Sequence, residues 1–126
     1  MKSIKLNPEI TELTRLNDFI TEEFNLNDFK LNLIVEEIFV NIVNYSQCSY
    51  IKVDFELEKG GLTITFRDDG VEFNPLAVDE VKHPDSIEEA EIGGLGIHLS
   101  KELADEMHYE YSDNENRLTI IKNGKL

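Results

Sequence analysis

The stretch IKVDFELEKGGLTITFR, residues 51–67, alternates apolar and polar side chains on both sides of a glycine pair. A period of two is typical of β-strands with one buried face, and Lys59-Gly60-Gly61 is typical of the turn between them. We therefore predict an antiparallel hairpin with strands at 51–57 and 62–66. Its apolar face needs a second layer to cover it, so the rest of the chain has to supply that layer.

Two amphipathic helices are predicted before the hairpin. A short strand at 4–6 is followed by Asn7-Pro8-Glu9, an order that favours a helix start, and apolar residues then recur every three or four positions up to Asn25. A second start at Asn27-Asp28 leads into a longer apolar stripe that ends near Ser46. Because this helix carries apolar residues on more than one side, we expect it to be buried there, together with a few polar groups.

The chain after the hairpin is predicted to add a long connection, a third helix and two strands. Residues 68–92 lack sustained periodicity, which in a small domain is typical of a lid or binding loop. A helix is predicted at 95–106, and strands at 107–111 and 118–121 follow, joined by a turn at Ser112 to Asn116. We therefore predict a single α+β domain, a two-layer sandwich whose mixed, mostly antiparallel sheet is covered on one face by three helices.

The charge balance excludes two classes of partner. The chain of 126 residues has 12 Lys and Arg against 26 Asp and Glu, a formal net charge of −14. Such a surface repels the phosphates of nucleic acids and the anionic face of membranes, so neither is an expected partner. If the surface that binds a partner shares this acidity, the partner has a basic or neutral face and its binding weakens with added salt.

The cysteine content and the hydropathy indicate the compartment. The single Cys48 cannot form an internal disulfide and has no second cysteine at metal-ligand spacing. Residues 1–5 lack the apolar run of a signal peptide, and no stretch approaches the roughly 20 apolar residues that span a bilayer. We therefore expect a reduced, cytoplasmic protein in which Cys48 is a small, partly buried residue.

The second helix carries a candidate pair of ligands. Glu37 and Asn41 are four positions apart, so they stand one turn above the other on the same side. A carboxylate and an amide oxygen are hard ligands suited to Mg²⁺ or to holding a water. The alternative is a surface glutamate with an asparagine that merely lies at the helix edge.

A second candidate lies where a strand ends in a glycine turn. The segment Arg67-Asp68-Asp69-Gly70 places an aspartate at the strand end, and the glycine lets the chain bend closely around a ligand. Such an aspartate can accept a hydrogen bond from an exocyclic amine such as that of adenine. The alternative is an ordinary Asp-Asp-Gly turn.

A third candidate is the glycine cluster at 93–97, GGLGI, at the start of the third helix. Glycines at a helix N-terminus let backbone N–H groups face an anion, and the helix dipole adds positive potential there. This arrangement binds phosphate without Lys or Arg. The cluster is neither a dinucleotide fingerprint, because a loop precedes it, nor a P-loop, because no Gly-Lys-Ser/Thr follows.

Taken together, the order of these motifs resembles a known superfamily. It is that of the ATP-binding domains of gyrase, heat-shock chaperones, histidine kinases and mismatch-repair proteins, which have the Bergerat fold. Within it, the closest resemblance is to the bacterial anti-sigma-factor serine/threonine protein kinases, and it covers essentially the whole chain. The segments that carry it are EIFVN at 37–41, DDGVEFNP at 68–75, GGLGIHL at 93–99 and NRLTIIK at 116–122.

The resemblance assigns roles to the first two motifs. It implies that Glu37 is the general base that deprotonates a substrate serine hydroxyl. Asn41 resembles the side chain that ligates the Mg²⁺ bridging the phosphates of ATP. Asp68 resembles the aspartate that reads adenine, and Gly70 the glycine that gives the base close access.

The resemblance also assigns roles near the end of the chain. Gly94, Leu95 and Gly96 match the end of the family's lid, whose backbone holds the phosphates. Thr119, on the last strand, resembles the threonine that supports adenine recognition directly or through water.

Three departures from the family pattern affect catalysis more than binding. Glu72 stands where many members have a second glycine, and the loop carries Lys82 and His83 but no arginine to contact the terminal phosphate. Asn44-Tyr45 occupies a region where a histidine is frequent. Phosphoryl transfer depends on positioning and on charge stabilisation at the γ-phosphate, so these changes bear on transfer.

Three functions are therefore compared. The first is an ATP- and Mg²⁺-dependent serine/threonine kinase whose partner is an anti-anti-sigma (antagonist) protein, with a sigma factor as a further partner and a homodimer expected from the family. The second is an ATP-binding regulatory module that sequesters a partner such as a sigma factor with little or no turnover. The third is a scaffold that binds no nucleotide.

Overall fold

A computed structural model of the protein describes residues 1–24, 29–58, 60–72 and 104–123. Its central feature is the predicted hairpin: β2 (Ile51–Glu58) pairs antiparallel with β3 (Gly61–Asp68). The hairpin prediction is confirmed.

Three further strands complete a five-stranded sheet in the order β1-β2-β3-β5-β4. They are β1 (Lys2–Leu6), β4 (Glu106–Ser112) and β5 (Glu115–Asn123). Every pairing among the described residues is antiparallel, as expected of the mostly antiparallel sheet that the sequence predicts.

The turn between β4 and β5 is tighter than the sequence predicted. Only Asp113 and Asn114 separate the strands, with φ angles of 55° and 62°, while Ser112 already pairs with Glu115. Two consecutive residues with positive φ match the twist of an antiparallel pair, and Asp and Asn tolerate this conformation. Both strands are therefore longer than the predicted five-residue turn allowed.

Two α-helices are described. A short 3₁₀ turn, Ile10–Glu12, leads into α1 (Leu13–Phe24), and α2 comprises Phe29–Tyr45. The first helical turn has Glu9 at its N-cap position and not Asn7, and no side chain caps it. The Glu12 carboxylate accepts the backbone N–H of Asn7 at 2.9 Å. No helix in the described ranges is long and apolar enough to cross a membrane.

Two predictions about helices, the start of the second helix and the third helix as a whole, fall largely on residues outside the described ranges. The predicted start at Asn27-Asp28 and most of the helix predicted at 95–106 lie outside the described residues. At the end of the latter, Ala104 and Asp105 form a bend and Glu106 already belongs to β4, so that segment is not helical up to Glu106.

The core lies between the two helices and one face of the sheet, as the alternating pattern of β2 and β3 predicted. The opposite face carries polar pairs, for example Arg67 Nε at 2.7 Å from Asp54 Oδ2. The architecture is thus an α+β two-layer sandwich. Its buried apolar residues are Leu6, Leu16, Ile20, Leu31, Ile34, Val35, Ile38, Phe39, Ile42, Ile51, Val53, Phe55, Leu62, Ile64, Phe66, Leu118 and Ile120.

Candidate functional site

A cluster of buried polar residues lies where α2 and β3 end. Asn41, Ser46, Asp68 and Asn116 are each at most 5% exposed and line one cavity together with Tyr109. Buried polar side chains are uncommon without a partner or a task. The cavity has a volume of about 20 Å³, room for a single water molecule.

The carboxylate of Asp68 is used asymmetrically. Its Oδ1 accepts hydrogen bonds from the Ser46 hydroxyl, from the Gly70 N–H at 2.9 Å and from Asn116 Nδ2 at 3.0 Å. No donor from the described residues uses Oδ2. The described residues therefore fix one oxygen of the carboxylate and leave the other without a donor from among them.

Gly70 lies tightly against the end of α2. A Cβ at this position would lie 2.7 Å from the carbonyl carbon of Ser46 and would overlap both of its oxygens. The next residue, Val71, donates its N–H to the Ser46 carbonyl at 2.9 Å. The structure thus requires a glycine for packing against α2, whereas close access for a base remains a prediction.

Asn116 is a site residue that the sequence reasoning missed. Its Nδ2 donates to Asp68 Oδ1 and, at 2.8 Å, to the Val71 carbonyl, while its Oδ1 accepts from the Tyr109 hydroxyl at 2.5 Å. The signal that identifies Asn116 is the register of β3 and β5, in which it lies opposite Asp68.

The same register places Thr119 apart from this cluster of buried polar residues. Thr119 pairs with Thr65, and their hydroxyl oxygens lie 3.3 Å apart on the sheet face that points away from the helices. Successive residues of a strand point to opposite faces, so Leu118 and Asn116 face α2 and Thr119 does not. Asn116 is therefore the residue of β5 that stands beside Asp68.

Glu37 and Asn41 lie on α2, as predicted. Asn41 is the polar residue among the buried side chains of this helix and lines the cavity, and Glu37 lies one turn earlier and is half-buried. Glu37 Oε2 is buried and accepts no hydrogen bond from the described residues. Burial, followed by the neighbouring Glu36, raises the pKa of Glu37, so its proton affinity is higher than that of an exposed glutamate.

The residues expected to bind the phosphates of ATP lie outside the part of the chain that the structure describes. Gly94, Leu95 and Gly96 lie outside the described residues, as do Lys82 and His83. Within the described ranges, no group of three or more His, Cys, Asp or Glu is arranged to hold a metal ion.

Asp69 fastens the loop after α2 to the end of β3. Its Oδ1 accepts the N–H groups of Ser49 at 2.7 Å and Tyr50 at 3.3 Å, and its Oδ2 accepts the Ser49 hydroxyl. Burial alone would raise the pKa of Asp69, but these hydrogen bonds outweigh it and the net pKa is lowered. The bonds thus connect the backbone at Ser49 and Tyr50 with the residue that directly follows β3.

Replacing Asp69 with alanine should lower the free energy of unfolding by about 1 kcal/mol at neutral pH, because exposed hydrogen bonds are lost. The lowered pKa means that this stabilisation is present at neutral pH and is lost as the pH falls through that pKa. Urea denaturation across the acid range should therefore show the two proteins converging. Asp18→Ala, at an exposed position on α1, is the control and should show no such convergence.

Comparisons with known proteins were made for sequence family and for structure. A family model described as a histidine kinase-like ATPase domain matches residues 7–122. Among solved structures, the chain is similar to Acinetobacter baumannii histidine kinase AdeS with a TM-score of 0.56 and 10% sequence identity, over 98% of this chain and 68% of that one. At this identity the likeness shows the fold alone. A search of curated proteins gave no match.

Proposed function

Because the chain belongs to the histidine kinase-like ATPase domain family, we propose that it is an ATP-dependent serine/threonine protein kinase acting on a protein partner. The partner class is that of an anti-anti-sigma antagonist, with a sigma factor as a further partner. This proposal extends the family's ATP binding to a specific acceptor, and it rests on the sequence resemblance together with the side chains at the ends of α2 and β3.

The observation that carries the proposal is the one-sided use of the Asp68 carboxylate. Three donors hold Oδ1, and Oδ2 is left as an acceptor. The exocyclic amine of adenine is a donor that fits this acceptor. Because Asp68 is buried, the local dielectric constant is low, and a hydrogen bond to its carboxylate is stronger than it would be in water. Asp68 is therefore the residue that recognises the base.

Glu37 and Asn41 supply the groups that a Mg-ATP kinase needs. Their oxygens form a hard donor set, and the unbonded, buried Oε2 of Glu37 fits a group that meets a proton or a cation. Mg²⁺, when bound through Asn41, would neutralise charge on the phosphates. Glu37 takes the proton from the substrate hydroxyl, and its raised pKa brings its basicity closer to working pH.

A second function, the ATP-binding regulatory module without turnover, is favoured by one observation. Glu72 is exposed two positions after Gly70, so it adds negative charge beside the site where the family often has glycine. Phosphoryl transfer depends on positioning and on charge stabilisation at the γ-phosphate, so this departure from the family pattern bears on transfer. The regulatory module and the kinase bind ATP in the same way, and they differ only in whether the phosphoryl group is transferred to a partner.

Replacing Asp68 with asparagine should weaken Mg-ATP binding about 30-fold, the loss of one charge-assisted hydrogen bond. The three donors around Oδ1 hold the amide oxygen of the new side chain, so its NH₂ faces the adenine amine and two donors meet. The fold is expected to persist for the same reason. Isothermal titration calorimetry measures the effect, and Asp18→Asn on α1 is the control with the same chemical change.

The kinase and the module are separated by a pull-down of partners with and without Mg-ATP, followed by phosphosite mapping. Stoichiometric transfer to a serine or threonine of a captured partner supports the kinase. Tight Mg-ATP binding with no transfer to any captured partner supports the module. If calorimetric titration with Mg-ATP gives no heat for wild type and none for Asp68→Asn, both the kinase and the module are rejected, and the third function, a scaffold that binds no nucleotide, is the one supported.

A further inference from the structure

The side-chain amide of Asn116 is held in one orientation by its neighbours. Its Nδ2 lies 2.8 Å from the Val71 carbonyl oxygen, an atom that can only accept a hydrogen bond. The NH₂ end must therefore point towards Val71 and Asp68. The other end, Oδ1, lies 2.5 Å from the Tyr109 hydroxyl, which donates to it.

The amide in turn helps to decide which oxygen of Asp68 meets a ligand. Its NH₂ joins Ser46 and Gly70 as a donor to Oδ1, so all three hydrogen bonds converge on that one atom. If the amide turned or withdrew, the carboxylate would be less restrained and its two oxygens could exchange roles. A chain of two hydrogen bonds thus connects the hydroxyl on β4 with the carboxylate at the end of β3.

We propose that Tyr109 is a positioning residue for adenine recognition, which it controls through Asn116 and Asp68. This inference rests on the proposed ATP-binding function and deepens it. The Tyr109 hydroxyl secures the buried amide, the amide secures Oδ1 of Asp68, and Oδ2 is thereby presented to the exocyclic amine. Tyr109 itself need not touch the nucleotide.

The test compares ATP with ITP, whose base has a carbonyl where adenine has the amine. Tyr109→Phe removes only the hydroxyl, and Tyr111→Phe is the matched control, an exposed tyrosine on the same strand. By calorimetry with Mg-ATP, we expect Tyr109→Phe to lose about five- to tenfold in affinity, the value of one hydrogen bond. Its Mg-ITP affinity should change by less than about twofold, since ITP does not use the amine contact.

Each outcome decides a different claim. If wild type binds Mg-ATP no better than Mg-ITP, or binds neither, the proposed ATP recognition fails before any substitution is considered. If wild type prefers ATP and Tyr109→Phe keeps the full preference, ATP recognition stands and the positioning role is overturned. Equal losses for both nucleotides, with a lower thermal midpoint, also overturn it, because they report a structural role only.

A double-mutant cycle tests whether Tyr109 acts through the amide. Asn116→Ala removes the group that transmits the effect, so adding Tyr109→Phe to this variant should cost no further Mg-ATP affinity. A further loss in the double mutant would mean that the hydroxyl acts on the site by another route, which would overturn the proposal.

Discussion

Replacing Glu37 with glutamine is expected to slow phosphoryl transfer to the partner by about 10²- to 10⁴-fold, the usual contribution of a general base. Glutamine keeps the shape of the side chain but cannot take a proton. Affinity for Mg-ATP should remain close to that of wild type, because the recognition of adenine depends on Asp68 at the end of β3 and not on Glu37. The measurement is single-turnover transfer of labelled phosphate from Mg-ATP to the captured partner.

The same substitution separates function from stability. The raised pKa of Glu37 shows that the fold disfavours its charged form, so the stability that it contributes is greatest below its unfolded pKa and is lost as the pH rises through its folded pKa. Glu37→Gln should therefore be at least as stable as wild type at neutral pH. A phosphoserine that forms undiminished in this variant would remove Glu37 from the role of base.

The neighbouring Glu36 provides the control. Its charge is the second cause of the raised pKa of Glu37, so Glu36→Gln should leave transfer active while lowering the pKa of Glu37. Transfer requires the deprotonated base, and the rate therefore falls as the pH drops through that pKa. The acid limb of the rate profile should move to lower pH in Glu36→Gln, and an acid limb that does not move would argue that another group limits the rate.

Replacing Gly70 with alanine is expected to destabilise the domain by about 3 kcal/mol, the upper range for overpacking in a rigid place. The new methyl group would overlap the backbone oxygen of Ser46, the residue directly after α2, and a backbone oxygen cannot rotate away as a side chain can. Either β3 or α2 must shift, and the hydrogen bonds to Asp68 shift with them. Thermal denaturation should show a midpoint lower by roughly 10 °C, with loss of Mg-ATP binding in the surviving folded protein.

Gly60 is the matched control for this substitution. A Cβ at Gly60 has no atom within 4 Å, so alanine there should change the free energy of unfolding little. A Gly70→Ala protein with wild-type stability would show that the contact between β3 and α2 is looser than its geometry indicates.

Much of the fold follows from local sequence patterns. The hairpin at 51–67 and the two helices were predicted because periods of two and of three to four are properties of neighbouring residues. The β4–β5 turn was predicted too long, because the positive φ angles of Asp113 and Asn114 are set by the pairing of the strands on both sides.

The candidate site was predictable only where its residues follow one element. Glu37 and Asn41 share a helix side by spacing, and Asp68 is marked by the end of its strand. Asn116 was missed, and Thr119 was the residue of β5 that the family resemblance indicated, because the face that a β5 residue points to depends on a register that no local pattern specifies. Asn116 and Thr119 are three positions apart on β5, an odd number, so their side chains point to opposite faces of the sheet.

The hydrogen bond between Asp68 and Asn116 also bears on how the protein acquires its structure. It joins residues 48 positions apart, and the bond from Ser46 to Asp68 joins residues 22 positions apart. Contacts that close long loops form slowly, because chain entropy is lost before they give stability in return. The cavity therefore exists only after β5 has docked on β3, and a ligand that binds there adds its free energy to the completed fold alone.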